Sequence, residues 1–218
     1  MDRSMRIISV NVSLPKDVRW RGKTISTGIF KEPVPHRVKV RTMNIDGDMQ
    51  ADPTVHGGPD KALYAYAAEH YDAWKRELKR EDLNWGMFGE NLTVHGGLFE
   101  NEVFVGDRFN VGNAEVVAVQ PRSPCYKLGI RFGTQRVLKQ FAKSGRFGIY
   151  FRVLKEGDVG VDDTVTRISE GKDRVSIGDV GRLLLDRYPD HALLARAAAL
   201  EMLPERIRNY CRALLDGS

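Results

Sequence analysis

Short extended runs, separated by turn signals, constrain the fold of this 218-residue chain more than any other feature. Apolar residues alternate with polar ones, or follow each other directly, over residues 5–12, 24–30, 38–42, 103–111, 114–119, 148–154 and 164–168. Gly112 and Asn113 separate two of these runs, and such a pair is typical of a hairpin turn. Many short strands with few helices predict a mostly β protein built on a barrel or sandwich core.

One segment breaks this pattern after the adjacent glycines Gly57 and Gly58. Apolar side chains recur there at helical spacing, which predicts a helix capped by Asp60, with a core face at residues 63, 67, 71, 74 and 78. The glycines would let a ligand approach the backbone closely, and a helix N-terminus offers free N–H groups. With His56 and Lys61 beside them, an anion-binding loop and a plain tight turn are equally compatible with the sequence.

The chain after residue 172 is helical in character. Ser176 and Asp179 match a capping box, Asp190 can cap a second helix, and Pro204 suits the first turn of a third. We therefore predict a small three-helix domain at 173–218, following a β-barrel domain at 1–172. The arginines of this tail are dispersed and balanced by acidic residues, so we expect no specific nucleic-acid binding.

The composition, with 42% hydrophobic and 29% charged residues, is that of a soluble globular protein. No apolar run approaches the ~20 residues of a membrane span, and two cysteines do not make a disulfide framework. We therefore expect a cytoplasmic protein that does not bind membranes. The net charge of +5 suits an anionic ligand, although charge alone does not separate such a ligand from nucleic acid.

The stretch QPRSPCYKL, residues 120–128, follows a predicted strand and is the strongest candidate for chemistry. Its two prolines stiffen the loop and so hold Cys125 in a defined place. Arg122 and Lys127 would favour the thiolate, which suits either nucleophilic attack or ligation of a soft metal. A small buried hydrophobe is the alternative, and that interpretation fits Cys211, which lies on an apolar helix stripe.

Two acidic features are less specific. Glu90 and Asn91 lie between a glycine-bounded turn and a strand-like run, where a carboxylate can donate a proton or face solvent. Asp46, Asp48 and Asp52 lack the spacing of a calcium loop, so we interpret them as a solvated acidic loop. The sequence contains no CxxC pair, HExxH motif or phosphate-binding P-loop.

Four ordered motifs carry a resemblance to a known family. They are GIFKEPV at residues 28–34, HGGPDKA at 56–62, FGENLT at 88–93 and QPRSPCYKL at 120–128. Together they resemble the MOSC-domain family, and more closely its YiiM-type subgroup. The resemblance implies a MOSC-type β-barrel with peripheral helices that binds the molybdenum cofactor (molybdopterin with molybdenum), with Cys125 as the protein ligand to the metal.

The same resemblance implies a function. YiiM-type proteins are associated with reductive detoxification of N-hydroxylated compounds, such as N-hydroxylaminopurine base analogues, with electrons from a separate flavoprotein reductase. Cys125, Glu90 and His56 are the predicted catalytic residues, with Glu90 favoured over His56 as the proton donor. The predicted cofactor-binding residues are Lys31, His56, Gly57, Gly58, Lys61, Asn91, Gln120, Arg122 and Lys127.

Two alternatives to a reductase use the same cysteine. Cys125 could carry sulphur as a persulfide, or the chain could bind the molybdenum cofactor only to deliver it. This chain alone cannot be a complete sulfurase, because its sequence contains no pyridoxal-phosphate domain. A homodimer is compatible with the chain, and the helical tail could serve either a second subunit or a partner protein.

Overall fold

The computed structural model describes residues 4–52, 57–187 and 189–217. The strands in this part of the chain are β1 Met5–Val12, β2 Lys16–Trp20, β3 Lys23–Thr27, β4 Glu32–Pro33, β5 Val38–Val40, β6 Leu63–Ala67, β7 Leu92–His95, β8 Arg108–Val111, β9 Ala114–Pro121, β10 Ile149–Lys155, β11 Gly157–Val159 and β12 Thr164–Ser169. The helices are α1 Glu69–Leu78, α2 Tyr126–Arg131, α3 Arg136–Ser144, α4 Ile177–Leu183, α5 His191–Ala199 and α6 Glu205–Asp216.

Seven strands form a closed barrel in the order β12, β8, β9, β10, β6, β7 and β1, and the pairing of β1 with β12 closes it. Neighbouring strands are antiparallel except β6 and β7, which are parallel. Strand β4 adds a short edge to β1, as expected for a segment whose prolines cannot donate to a sheet ladder. The structure confirms the predicted mostly β barrel with peripheral helices.

A local turn signal predicted one hairpin of the fold correctly. Strands β8 and β9 form the predicted hairpin, with Val111 paired to Ala114 across the Gly112–Asn113 turn. Strands β2 and β3 pair with each other in a second hairpin, where Arg21 and Gly22 both adopt positive φ angles, 48° and 78°. Such angles are typical of the two-residue turns that match strand twist.

The helix predicted from Asp60 onwards begins only at Glu69, so its second half, with Tyr71 and Trp74 on the buried face, is confirmed and its first half is wrong. Residues 59–61 form a single 3₁₀ turn, and strand β6 follows at Leu63–Ala67. All five residues of β6 are buried, because the strand lies between β10 and β7 and is covered on both faces. A continuous apolar run fits a doubly covered strand as well as a helix, so the i, i+4 spacing was not diagnostic. Gly57 and Gly58 therefore precede no α-helix N-terminus, and the dipole expected there is absent.

The tail contains the three predicted helices, α4 to α6. Ser176 and Asp179 form the predicted capping box, and the Asp190 carboxylate accepts a hydrogen bond from the Leu193 amide at 3.0 Å. Cys211 is fully buried, as predicted. The tail packs into the main hydrophobic core, which includes Val116 and Phe151 from the barrel and Val175, Ile177, Val180, Leu194 and Ile207 from the tail. The domain boundary after residue 172 stays a prediction.

A second apolar cluster lies outside the barrel and supports the site described below. It is aromatic, and it joins β6, α1, the turn at residues 86–89 and α3 through Tyr66, Trp74, Phe88 and Phe141. Phe88 stacks on Tyr66 with ring centroids 4.7 Å apart. Among the described residues, no helix is long and apolar enough to cross a membrane.

Candidate functional site

Cys125 lines a pocket at the end of strand β9. The pocket and its open mouth together contain about 560 Å³ of space that no protein atom fills. Its wall is formed by the end of β3 and the segment after it, the loop at residues 48–51, the 3₁₀ turn and the start of β6, the residues before β7, the loop after β9, the start of α2 and one residue of β10. The charged residues among its lining are Lys31, Asp48, Lys61, Arg122 and Lys127.

The cysteine loop is placed as the sequence predicted, at the end of a strand. β9 ends at Pro121, and Cys125 follows in extended conformation, with φ −128° and ψ 159°. Helix α2 then begins at Tyr126, inside the stretch predicted to be loop, and the Leu128 amide donates to the Cys125 carbonyl at 2.9 Å. The cysteine is half-buried, so it is accessible from the pocket while its backbone is held.

Arg122 is buried in the pocket wall and tightly held. Its Nη1 donates to the Phe88 carbonyl, and its guanidinium lies 5.2 Å from the centre of the Tyr64 ring. This packing requires Gly89, which has φ +74°, because a Cβ there would lie 2.8 Å from Arg122 Nη1. Burial alone would lower the pKa of Arg122, but the nearby Tyr150, Tyr64 and Cys125 outweigh it, and the pKa is raised. The guanidinium therefore stays charged beside Cys125.

Lys31 lines the pocket as the ammonium half of a buried ion pair with Asp48. The Asp48 carboxylate also accepts from the Ser13 amide at 3.0 Å and from Asn91 Nδ2 at 3.0 Å. Burial lowers the pKa of Lys31, and the Asp48 carboxylate opposes that shift. The interpretation of Asp48 as part of a solvated acidic loop is therefore wrong, since it is 4% exposed.

Asn91 connects this ion pair to the barrel. Its Oδ1 accepts from the Tyr64 amide at 3.1 Å, and its Nδ2 donates to Asp48. The amide thus ties β6 to the loop that carries Asp48, and Asn91 also lines the pocket. The structure brings this predicted residue to the site, where both ends of its side chain already have partners.

Lys61 and Lys127 complete the cationic lining. Burial lowers the pKa of Lys61, and the nearby Arg206 lowers it further. The Asp60 carboxylate and the Cys125 sulphur both oppose this shift. Lys61 therefore lies within electrostatic range of both Cys125 and the helical tail. Lys127 follows Cys125 in helix α2.

Gln120 is buried but is not part of the pocket lining. Its Nε2 donates to the Asp60 carbonyl at 2.9 Å, and the Asp60 carboxylate accepts from Arg152 Nε at 2.7 Å. These bonds hold the 3₁₀ turn that carries Lys61. The side chain of Gln120 supports the site and does not face a ligand there.

Glu90 is fully buried, which excludes its interpretation as a solvated turn residue. Its carboxylate accepts from the Gly86 amide at 2.9 Å, the Phe88 amide at 3.1 Å and the Thr93 hydroxyl at 3.0 Å. The Tyr71 hydroxyl also donates to it. Burial raises the pKa of Glu90, and these hydrogen bonds oppose the shift. Glu90 is absent from the pocket lining, so its evident contribution is to hold the turn at residues 86–90.

The remaining predicted residues contribute less. Gly57 and Gly58 are half-buried and do not line the pocket, and His56 lies outside the described residues. Sequence reasoning missed Tyr64 and Tyr150, two pocket-lining rings whose centroids are 4.8 Å apart. Both lie in apolar strands, where a tyrosine is usually a core residue, so no local signal identifies them.

The described residues contain no group of three or more histidine, cysteine, aspartate and glutamate side chains that could hold a metal ion. The pocket instead offers one cysteine surrounded by cationic groups. This donor set does not suit a bare divalent ion, which takes several oxygen or nitrogen ligands from the protein. It suits a soft metal brought by an anionic organic ligand.

Comparisons with known proteins identify the family of the chain. Residues 52–166 match the MOSC domain. The chain is 41% identical to the uncharacterized protein YflK of Bacillus subtilis (strain 168) over 177 residues, which are 81% of this chain and 79% of that protein. A Gibberella moniliformis protein named Reductase is 33% identical over 184 residues, 83% of this chain but only 32% of that protein. The crystal structure of YiiM from Geobacillus stearothermophilus has a TM-score of 0.81 and 31% identity, covering 97% of this chain and 99% of the other.

A closed β-barrel with a half-buried cysteine in a cationic pocket defines the class of this protein and suits an anionic ligand. The chain belongs to the MOSC-domain family, whose members bind the molybdenum cofactor, and within that family it is of the YiiM type.

Proposed function

We propose that this chain is a molybdenum-cofactor-dependent reductase of N-hydroxylated compounds, such as N-hydroxylaminopurine base analogues. The observation that carries the proposal is the placement of Cys125 in one pocket with Lys31, Lys61, Arg122 and Lys127. The fungal relative named Reductase supports reductive chemistry. In this proposal the activity detoxifies such compounds.

The residues present fit the molybdenum cofactor. Cys125 would supply a thiolate to molybdenum, a soft ligand for a metal already held by an organic group. The cations would bind the anionic part of the cofactor, and the charged, immobile Arg122 is the best placed to do so. When bound, the cofactor supplies the electron-transfer centre, and the protein supplies orientation and protons.

Reduction of an N-hydroxyl group breaks the N–O bond, consumes two electrons and two protons, and releases water. The pocket must therefore deliver protons to the departing oxygen. Glu90 is poorly placed for this, because its oxygens are occupied by four donors outside the pocket lining. His56 stays the predicted proton donor.

Electrons must come from another protein in this proposal, and we propose a separate flavoprotein reductase. The fungal relative supports the idea, since the match occupies about a third of its length and leaves room for further segments. We expect reduction to depend on the added reductase.

Molybdenum analysis of protein from a cofactor-competent, molybdenum-replete host tests the proposal. We expect wild type to bind molybdenum and to reduce 6-N-hydroxylaminopurine with a flavoprotein donor, and Cys125→Ala to lose both. Cys211→Ala is the matched control, since that cysteine is buried in the tail. Full molybdenum loading and unchanged activity in Cys125→Ala would refute the proposal. Molybdenum binding without turnover by any donor would favour a carrier.

A further inference from the structure

Tyr150 differs from Tyr64, Arg122 and Asn91, which also line the pocket. The Tyr64 hydroxyl donates to the Phe147 carbonyl at 2.8 Å, Arg122 donates to the Phe88 carbonyl, and Asn91 is bonded at both ends. The Tyr150 hydroxyl forms no hydrogen bond with any residue in the described part of the chain, although the ring lines the pocket. A hydroxyl placed in this way is available to a ligand.

The backbone around Tyr150 explains how the ring reaches the pocket. Strand β10 pairs Tyr150 with Gln120 but pairs Phe151 with Ala118, so Val119 is an extra residue on β9. A β-bulge of this kind bends the sheet and re-aims side chains, and bulges are common next to active sites. Phe151 belongs to the barrel core, so its neighbour Tyr150 lies on the opposite face of the strand.

The ring of Tyr150 is fixed by its neighbours. It packs on Tyr64, with the ring centroids 4.8 Å apart and the planes inclined by 33°. Tyr64 in turn packs closely over Gly148, where a Cβ would lie 2.6 Å from the Tyr64 ring. The hydroxyl of Tyr150 is therefore presented from a rigid support, which lowers the entropic cost of a hydrogen bond to a ligand.

The electrostatic surroundings keep this hydroxyl protonated. Burial raises the pKa of Tyr150; Arg122 opposes that shift, and Cys125 adds to it. Tyr150 thus lies within electrostatic range of both the proposed metal ligand and a fixed cation. At neutral pH it can donate a hydrogen bond but cannot act as an anion.

We propose that the Tyr150 hydroxyl donates a hydrogen bond to the N-hydroxyl oxygen of the substrate and thereby makes the pocket select N-hydroxylated compounds over the parent amines. This inference rests on the proposed reductase function. The Tyr150 and Tyr64 rings both line the pocket and give a planar base aromatic surface to pack against. The hydrogen bond holds the oxygen that departs as water, and Tyr150 touches the reacting group.

The test compares equilibrium binding of 6-N-hydroxylaminopurine and adenine to cofactor-loaded protein by calorimetry. Wild type should prefer the hydroxylated purine. Tyr150→Phe keeps the ring and removes one hydrogen-bond donor. The variant should therefore bind 6-N-hydroxylaminopurine about 3- to 10-fold more weakly and bind adenine with unchanged affinity. The control is Tyr210→Phe, an exposed tyrosine of the tail that should change neither affinity. Steady-state kinetics should show a higher KM for Tyr150→Phe.

Three outcomes would overturn the inference. One is a wild type without preference between the two purines, and another is an unchanged preference in Tyr150→Phe. The third is a lower molybdenum content in Tyr150→Phe, which would show that the hydroxyl contacts the cofactor. The proposed function fails separately, when molybdenum-loaded wild type reduces no N-hydroxylated compound with any donor.

Discussion

Asp48 and Lys31 form an ion pair that is almost excluded from water, with side chains 2% and 10% exposed. The two residues lie 17 positions apart, in different loops that both contribute to the wall of the cysteine pocket. The pair therefore fixes one cation of the site and ties together two segments outside the barrel strands.

Removing the charge of Asp48 should destabilise the protein. Asp48→Asn preserves the size of the side chain but leaves the buried ammonium of Lys31 without its counter-charge, so we expect a loss of about 3 kcal/mol in the free energy of unfolding, measured by urea denaturation. Asp46→Asn is the control, because Asp46 is exposed and pairs with Arg41 at the surface. Equal effects of the two substitutions would contradict the importance of the buried pair.

A side chain at Gly89 should displace Arg122. Gly89→Ala forces a non-glycine residue to a φ of +74° and places a Cβ 2.7 Å from Ile29 Cδ1 and 2.8 Å from Arg122 Nη1. We expect a loss of about 2–4 kcal/mol in the free energy of unfolding and a lower molybdenum content.

Gly133→Ala separates backbone strain from the clash. Gly133 has a similar φ of +70°, but a Cβ there would meet no atom within 4 Å. Gly133→Ala should therefore lower the free energy of unfolding by only about 1–2 kcal/mol and leave the molybdenum content unchanged. Loss of molybdenum in both variants would show that the position of Arg122 is not the cause.

Glu90 should impose a distinctive pH dependence on stability. Burial raises its pKa in the folded protein, whereas the unfolded chain titrates near the ordinary value of 4.5. The folded state therefore binds the Glu90 proton more tightly than the unfolded chain does. The stabilisation that results is complete below pH 4.5 and is lost as pH rises through the folded pKa.

Glu90→Gln removes that titration. The difference in free energy of unfolding, wild type minus variant, should fall as pH rises from 4.5 towards neutrality, measured by denaturant titrations at several pH values. Asp82→Asn, at an exposed surface pair, is the control and should not reproduce this trend. A difference that rises with pH would contradict a raised pKa for Glu90.

The barrel should depend on the helical tail. Ile177 and Val180 of α4 belong to the same hydrophobic core as Phe109 and Val116 of the barrel, so ending the chain after residue 172 would expose apolar core surface. We expect the truncated chain to aggregate or to unfold at lower denaturant concentration. A soluble truncated barrel with full-length stability would contradict this expectation and support two independent domains.

Local patterns predicted much of this fold because the signals are themselves local. The β8–β9 hairpin follows from the Gly112–Asn113 turn, and the capping box at Ser176 is encoded within four residues. Strand β6 was misassigned because its burial comes from β10 and β7, which are distant in sequence. The sequence of an apolar run does not show whether one or both faces of the strand will be buried.

The candidate site likewise contains residues that the local sequence reveals and residues whose role depends on distant partners. Cys125 was found because its loop has an unusual composition and carries part of the family resemblance. Asp48 was missed because its partner is Lys31, and a carboxylate in an acidic loop does not reveal a buried counter-charge. Tyr150 was missed because its access to the pocket depends on a bulge in the β9–β10 pairing, a property of register that neither strand shows alone.

The β2–β3 hairpin offers a practical use. Within the described residues these strands pair with each other and with no barrel strand, and their turn at Arg21 and Gly22 is exposed. The base of the hairpin nevertheless lies at the pocket, because Thr27 and Gly28 line it. Surface turns tolerate insertions well. A fluorophore or affinity peptide placed between Arg21 and Gly22 would therefore be attached at the far end of the hairpin from the pocket and would alter no pocket residue.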